Sequence, residues 1–273
     1  MEWILLVLVG LLAGTFGSLL GLGGGIIVVP ALLFLTPYLP ILQGLTPQVA
    51  VGTSLVVIIF TGLSSTLAYM KYEKVDYKSG FLLFIGSGPG ALIGSWVNKS
   101  LNHDSFSVYF GLFMIGCSIL LFFKDRMKPK QKDRSSGYVR SYINDKGETY
   151  TYGFHPVFGA IIAFGVGFLS GLFGIGGGSL MVPAMIMLFL FPPHIAVATS
   201  MFIIFLSSIV SSVTHITLGN VNWVYALLLI PGAWFGGKWG AKINQRLKSK
   251  QIIQLLRIIL VIVGVRLIIQ GLA

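Results

Sequence analysis

A chain of 273 residues with 55% hydrophobic and 10% charged residues cannot cover itself with polar surface in water, since soluble domains carry about a quarter charged residues. Its formal charge of +11 does not point to nucleic acid, because the bases gather at the ends of apolar runs, where they orient a membrane protein. The single cysteine, Cys117, excludes intramolecular disulfides, iron–sulfur clusters and multi-cysteine metal sites.

Taken in chain order, Trp3–Leu20 is the first apolar run of membrane length; a helix needs about 20 residues to cross a core about 30 Å thick. Met1-Glu2-Trp3 lacks the basic start of a cleavable signal, so this run is expected to remain in the protein. Gly23-Gly24-Gly25 follows, and then Ile26–Leu35, which is too short to span comfortably. Val49–Tyr69, Phe81–Val97 and Phe106–Phe123 complete a first half, residues 1–123, with Cys117 reading as a small buried hydrophobe in the last of them. Residues 124–154 are polar and hold Lys124, Arg126, Lys128, Lys130, Lys132, Arg134, Arg140 and Lys146. They read as a cytoplasmic linker loop that touches anionic lipid heads. From 155 to 273 the order repeats: Val157–Phe173, Gly176-Gly177-Gly178, short Ser179–Phe191, then Ile195–His215, Trp223–Phe235 and Ile252–Ile269.

The two halves share residues as well as order. Gly14, Gly21, Gly23, Gly24, Gly25, Val29, Pro30 and Ala31 recur at one constant offset as Gly167, Gly174, Gly176, Gly177, Gly178, Val182, Pro183 and Ala184. Pro47, Ala50, Val51, Thr53 and Ser54 recur as Pro193, Ala196, Val197, Thr199 and Ser200. Pro89-Gly90-Ala91 and Gly94 pair with Pro231-Gly232-Ala233 and Gly236. When each short run either crosses or enters and returns, the basic stretches at Lys71–Lys78, Lys124–Lys146 and Lys242–Lys250 share one side. The positive-inside rule makes that side cytoplasmic, with both termini outside. An odd number of segments per half then inverts the halves. The expected fold is an all-α membrane protein of two inverted repeats of five apolar segments each, with short broken or re-entrant helices after the glycine turns. Inverted repeats mark secondary transporters, whose substrate site lies at the repeat interface near the midplane.

Three consecutive glycines oppose helix continuity, and broken backbone at membrane depth is tolerated where protein buries it or where it lines a cavity. Each run therefore predicts a half-helix that starts at Gly25 or Gly178 and ends at or near Pro30 or Pro183. Its free N–H groups and positive dipole end would point inward and form an anion site. The candidate substrate-binding residues are Gly23, Gly24, Gly25, Gly176, Gly177 and Gly178, joined by the repeated hydroxyls of Thr53, Ser54, Thr199 and Ser200. Packing is the competing explanation, and it suits the spaced glycines Gly86, Gly90, Gly94, Gly232, Gly236 and Gly240 better than the triple runs. Hydroxyls in membrane helices also bond their own backbone. None of the eight acids lies inside an apolar segment; cation transporters and carboxylate-driven pumps usually keep one there. The partners expected are a small anionic substrate and the lipid bilayer, with no cofactor, no metal and no nucleic acid; whether the chain forms a homo-oligomer stays open.

At these residues the chain resembles the TauE/SafE family of sulfite exporters. Its repeated glycine-rich motif is matched by Gly14–Pro30 and Gly167–Pro183, and the similarity covers essentially the whole chain. The resemblance implies a bacterial plasma-membrane permease or exporter for a sulfur-containing anion such as sulfite, thiosulfate or a sulfonate. Two other classes are weighed against it. One is an integral membrane enzyme acting on lipid-linked substrates, for which no His/Asp/Glu cluster appears; the other is a structural membrane subunit without transport.

Overall fold

The computed structural model describes residues 2–36, 38–100, 108–112, 115–116, 118–119, 137–143, 149–176 and 178–272. Cys117, Gly177 and the basic residues Lys124, Arg126, Lys128, Lys130, Lys132, Arg134 and Lys146 lie outside the described residues. The chain is mostly helical: α1 Glu2–Leu20, α2 Gly25–Leu35, α3 Pro47–Met70 and α4 Tyr77–Asn98 come first. A β-hairpin follows, β1 Tyr138–Ile143 and β2 Thr149–Phe154. Then come α5 Pro156–Phe173, α6 Gly178–Met187, α7 Pro193–Thr217, α8 Trp223–Asn244 and α9 Ser249–Leu272. Five of these helices, α1, α3, α4, α5 and α7, are long and apolar enough to cross a membrane. Residues 108–112 are helical as well, with Phe110 stacked on Phe173 of α5.

The caps and breaks explain these bounds. Thr46 caps α3 and Asp76 caps α4, each accepting a backbone N–H of the first turn, while Asn222 does the same for α8. The short helices run past their prolines, to Leu35 and Met187, rather than ending there. Proline removes one helical bond but can sit near a helix start, where few bonds are lost.

The halves are interlaced. α1 lies along α8, and α5 lies along α4, so the first helix of each half packs on the fourth helix of the other. Small residues make this closeness: a Cβ on Gly232, Gly236 or Gly240 would run into the backbone of α1, and one on Gly86, Gly90 or Gly94 into the backbone of α5. These contacts correct the sequence pairing by one helical turn. Gly236 faces Leu11 and Thr15, while Gly90 faces Phe164 and Phe168, the matched positions, so Gly90 corresponds to Gly236 and not to Gly232. A glycine every four positions looks the same after a one-turn slip, which is why the sequence alone misplaces it. Asn98 and Asn244 settle the register, since their Nδ2 atoms donate to the matched carbonyls of Leu172 and Leu19, each at 2.7 Å.

α3 and α7 form the centre and are buried over most of their length. They run antiparallel: the start of α3 meets the end of α7, where Gly52 abuts His215 and Asn220, and Gly62 faces Phe205 midway. Each short helix returns to the side from which its predecessor entered. Past α2, the Ile41 carbonyl accepts from Tyr225 near the start of α8, the end beside which α1 also begins. Past α6, the Phe189 carbonyl accepts from Gly153, just before α5. Large apolar side chains such as Leu8, Ile85, Ile161 and Leu227 face outward, as expected of a surface solvated by lipid, and Trp3, Trp96, Trp223 and Trp239 stand exposed toward helix ends, as interface anchors do.

The hairpin corrects the expectation of an all-α chain with only a linker loop between its halves. Its strands are rich in aromatic and β-branched residues that suit a pleated surface, but their polarity made them read as loop. Tyr152, Gly153 and Phe154 turn inward, and Tyr152 and Phe154 pack on Phe191 and Phe189 beyond α6. The Asp76 carboxylate, buried at the cap of α4, accepts from Arg140, from the Tyr152 hydroxyl at 3.1 Å and from both N–H and hydroxyl of Ser79. Burial works against the Arg140 charge, yet Asp76 outweighs it and the net direction is upward. Burial first, and then the Asp76 charge, push the Tyr152 phenol above its ordinary value. A buried carboxylate so surrounded is costly to disturb. Asp76→Ala should lower unfolding stability by about 3 kcal/mol and Asp76→Asn by less, because the amide still caps α4; thermal unfolding in detergent measures both. Tyr152 holds its proton more tightly folded than unfolded, so its contribution is complete below the ordinary phenol value of about 10 and is lost above it. Alkaline titration of tyrosine absorbance should show Tyr152 ionising after the exposed tyrosines.

Candidate functional site

The glycine runs become two turns that meet at the centre of the protein. α1 ends at Leu20; the N–H groups of Leu22 and Gly23 fold back onto the Gly17 carbonyl, at 2.7 and 3.3 Å. Gly24 then starts α2 from a φ of +94°, a left-handed conformation in which an L side chain would be strained. Its carbonyl takes the N–H groups of Ile27 and Val28. Among the described residues no acceptor meets the N–H of Gly25 or Ile26, the first donors of the helix. In the second half α5 ends at Phe173, capped by Gly174, also left-handed, and α6 begins at Gly178. Gly177 between them lies outside the described residues.

The turns touch. A Cβ on Gly25 would strike the Gly174 carbonyl oxygen, and one on Gly23 would lie 3.5 Å from the Ile175 oxygen. Ile58 of α3 and Ile204 of α7, at matched positions and both wholly buried, close over the pair. Their Cγ2 atoms stand 3.3 and 3.0 Å from a Cβ built on Gly23, and 2.9 and 3.0 Å from one built on Gly176. In this conformation the space before the turns is filled by these two side chains.

The four candidate hydroxyls are buried beside the turns and are engaged reciprocally. Ser54 donates to the Gly174 carbonyl, and Ser200 donates to the Gly21 carbonyl, each at 3.1 Å. Thr53 accepts the Asn222 N–H and Thr199 accepts the Asp76 N–H, each at 3.0 Å. Every hydroxyl thus satisfies a backbone group of the opposite half. The bland expectation for membrane hydroxyls, bonding within their own helix, describes only the second bond of Ser200, to Val197.

Several residues around the site were missed in the sequence reading although they recur in both halves: Ile58 and Ile204, Asn98 and Asn244, Ser65 and Ser211. Their recurrence was the available signal. Ser65 and Ser211 donate to the matched carbonyls of Gly237 and Ala91, each at 3.4 Å. Lys238 is exposed, with Nζ 5.3 Å from the Trp234 ring, the geometry of a cation resting on an aromatic face rather than reaching the centre. Among the described residues no group of three His, Cys, Asp or Glu stands close enough to hold a metal ion.

Membrane helices broken at the centre of the bundle by paired turns are the build of a membrane transporter. The chain belongs to the sulfite exporter TauE/SafE family, whose model matches residues 6–267. It is 59% identical over 271 residues to the probable membrane transporter protein YunE of Bacillus subtilis, covering 99% of each chain. It is 31% identical over 276 residues to the probable membrane transporter protein MJ0441 of Methanocaldococcus jannaschii, covering 95% of this chain and 93% of that one. A probable membrane transporter protein of Haemophilus influenzae is 25% identical over 250 residues, covering 92% and 88%. No solved structure matches.

Buried hydrogen bonds between membrane helices contribute modestly. Ser54→Ala and Ser200→Ala should each cost about 1 kcal/mol, read as a lowered unfolding midpoint in detergent. A much larger loss of anion binding than of stability would show that the hydroxyls also meet the ligand.

Proposed function

We propose that this chain is a secondary transporter that carries a small sulfur-containing anion, such as sulfite, thiosulfate or an organosulfonate, across the plasma membrane. The observation that carries the reading is the meeting of the two glycine turns, where the start of α2 at Gly25 abuts Gly174 and Ile175 beyond the end of α5. A helix start presents unsatisfied N–H groups and the positive end of the dipole. Glycine lets a ligand approach that backbone without a side chain between. Charge supports the same sign of substrate: among the described residues, apart from Glu2 at the first position of α1, none of the helices α1–α9 holds an acid. The names of the family and the relatives agree with transport, and the family's name supports the sulfur chemistry.

In this proposal the two halves are inverted repeats, and α3 and α7 cross at the pseudo-axis. Ile58 and Ile204 seal the turns in a closed state, and rocking of one half against the other withdraws them and admits the anion from one side at a time. The side with the hairpin, Lys71–Lys78 and Lys242–Lys250 is cytoplasmic by the positive-inside rule. Gly23, Gly24, Gly25, Gly176, Gly177 and Gly178 supply backbone donors, and Thr53, Ser54, Thr199 and Ser200 hold the turns in place.

The test is flux of radiolabelled sulfite, thiosulfate and taurine into liposomes containing the purified protein. Uptake of at least one above protein-free vesicles is expected; intact, folded protein that moves none of them would end the proposal. Gly24→Val should abolish anion binding while insertion persists, because the turn cannot keep its left-handed backbone. Ile204→Trp leaves the turn backbone alone and should lower flux at least about tenfold by overfilling the space before it, a loss equivalent to about 1.4 kcal/mol. Unchanged flux in both variants would return the glycines to a packing role.

A further inference from the structure

Along α3 and α7 the halves correspond closely: Thr53 with Thr199, Ser54 with Ser200, Ile58 with Ile204, Ser65 with Ser211. One turn later the correspondence breaks, with Tyr69 on α3 and His215 on α7. Tyr69 is paired, its hydroxyl donating to the Ser18 carbonyl of α1 at 2.8 Å. The position matching Ser18 is Gly171 on α5, and its backbone lies beside the His215 ring. The ring reaches toward that backbone without closing a well-aligned hydrogen bond. His215 is wholly buried, and neither Nδ1 nor Nε2 makes a hydrogen bond of full geometry.

The same end of the bundle gathers further orphan atoms. Ser212 precedes His215 by one turn on the same helix face, and Ser170 adjoins Gly171; both hydroxyls are buried and unpartnered. Asn98 reaches the Leu172 carbonyl with Nδ2, yet its Oδ1 is also unpartnered. Around Tyr69 the surplus is smaller, since Gly17 stands where Ser170 does and the Asn244 Oδ1 meets His194 Nδ1 at 3.0 Å. Leaving a buried polar atom unpaired costs about 1–3 kcal/mol, so a cluster of them in a membrane bundle implies something polar that completes it.

The surroundings hold no counter-charge. α3 brings Gly52, α5 brings Ser170 and Gly171, α4 brings Ser95 and Asn98, and the α7–α8 connection brings Asn220. Among the described residues, the charged group these elements carry at this end is Lys99, exposed at the cap of α4. A protonated His215 would therefore present two N–H donors and a positive charge with no carboxylate to neutralise it. Position completes the argument. Gly171 lies one turn of α5 before Gly174, the residue whose carbonyl takes Ser54 and abuts Gly25.

We propose that His215, with the hydroxyls of Ser170 and Ser212, is a joint site for a proton and a small oxyanion. A proton from the water on one face of the membrane binds the neutral ring, and the imidazolium holds the anion. Both are released on the other face, and no bond other than N–H is made or broken. The coupling rests on the transport reading above, while the site itself is testable apart from it.

The test uses the full chain in vesicles of phosphatidylethanolamine and phosphatidylglycerol, with His215→Gln and His215→Tyr as variants. The tyrosine copies Tyr69 and guards against a mere folding defect. Uptake of sulfite, and of thiosulfate, which carries no proton near neutral pH, is measured with and without an inward proton gradient and beside a lumenal pH dye. In parallel, ¹⁵N-histidine spectra in nanodiscs are titrated between about pH 5 and 8, where histidine changes charge. The unaltered protein should accumulate anion with the gradient and carry protons with it. Both variants should lose the gradient's effect and bind the anion more weakly, while still folding and inserting. Saturating anion should raise the His215 midpoint by about one unit, equivalent to about tenfold tighter binding to the charged ring. A His215 resonance indifferent to pH and to both anions, or variants that accumulate anion like the unaltered protein, would overturn the site. Absence of flux with a His215 midpoint that still moves with anion would sink the transport reading and leave the site standing.

Discussion

A backbone that leaves its helix inside a bilayer must find every hydrogen bond within the protein, and the rest of this fold follows from that constraint. Neither glycine turn meets it alone. The Gly21 carbonyl is satisfied by Ser200 and the Gly174 carbonyl by Ser54, so each half completes the break in the other. The same exchange recurs outward. Thr53 and Thr199 hold the opposite half's α8 and α4 at their caps, and Asn98 and Asn244 tie those helices at their far ends. Each break is thus completed by the partner half as well as covered by its own.

Interlacing has a physical consequence. α1 and α5 find their closest neighbours in α8 and α4, through glycine faces that bring backbone against backbone. Close packing of this sort is the main source of attraction between helices in lipid, where no hydrophobic force acts between them. The halves are thereby bound at their flanks while the centre, α3 against α7, joins through Ile58, Ile204, Gly62 and Phe205. A centre sealed by two aliphatic side chains can part at little polar cost, because no hydrogen bond runs across those isoleucines.

Much of this was legible before the fold. The apolar runs gave the helices, since length and hydropathy dictate spanning segments almost directly. The constant offset of Gly14–Pro30 against Gly167–Pro183 gave the two halves and the starts at Gly25 and Gly178. Other features depended on what cannot be seen along a chain. The one-turn slip between Gly232 and Gly236 arose because a four-residue glycine repeat carries no register of its own. The hairpin was hidden by composition: Tyr138–Ile143 and Thr149–Phe154 are polar enough to resemble a loop, and only docking on Asp76, Phe189 and Phe191 gives them a reason to order. The prolines misled in the opposite direction. Pro30 and Pro183 fall early enough in their helices that the lost bond does not stop them.

The departures from symmetry separate the two ends. Asp76 and Asn222 occupy the same place, each capping a helix and giving its N–H to a threonine, yet only the charged one is sealed, by Arg140 and Tyr152 of the hairpin. Tyr69 and His215 likewise share a place, and only the tyrosine is paired. These differences fall at different ends: the sealed carboxylate and paired tyrosine belong to the end where α3 finishes, the unpaired histidine to the end where α7 finishes. A perfectly symmetric pair of inverted halves would open to either side with equal free energy, since the two states would be mirror copies in their contacts. In the proposed cycle, Asp for Asn under a hairpin and His for Tyr without a well-aligned partner would remove that degeneracy and make the two open states unequal.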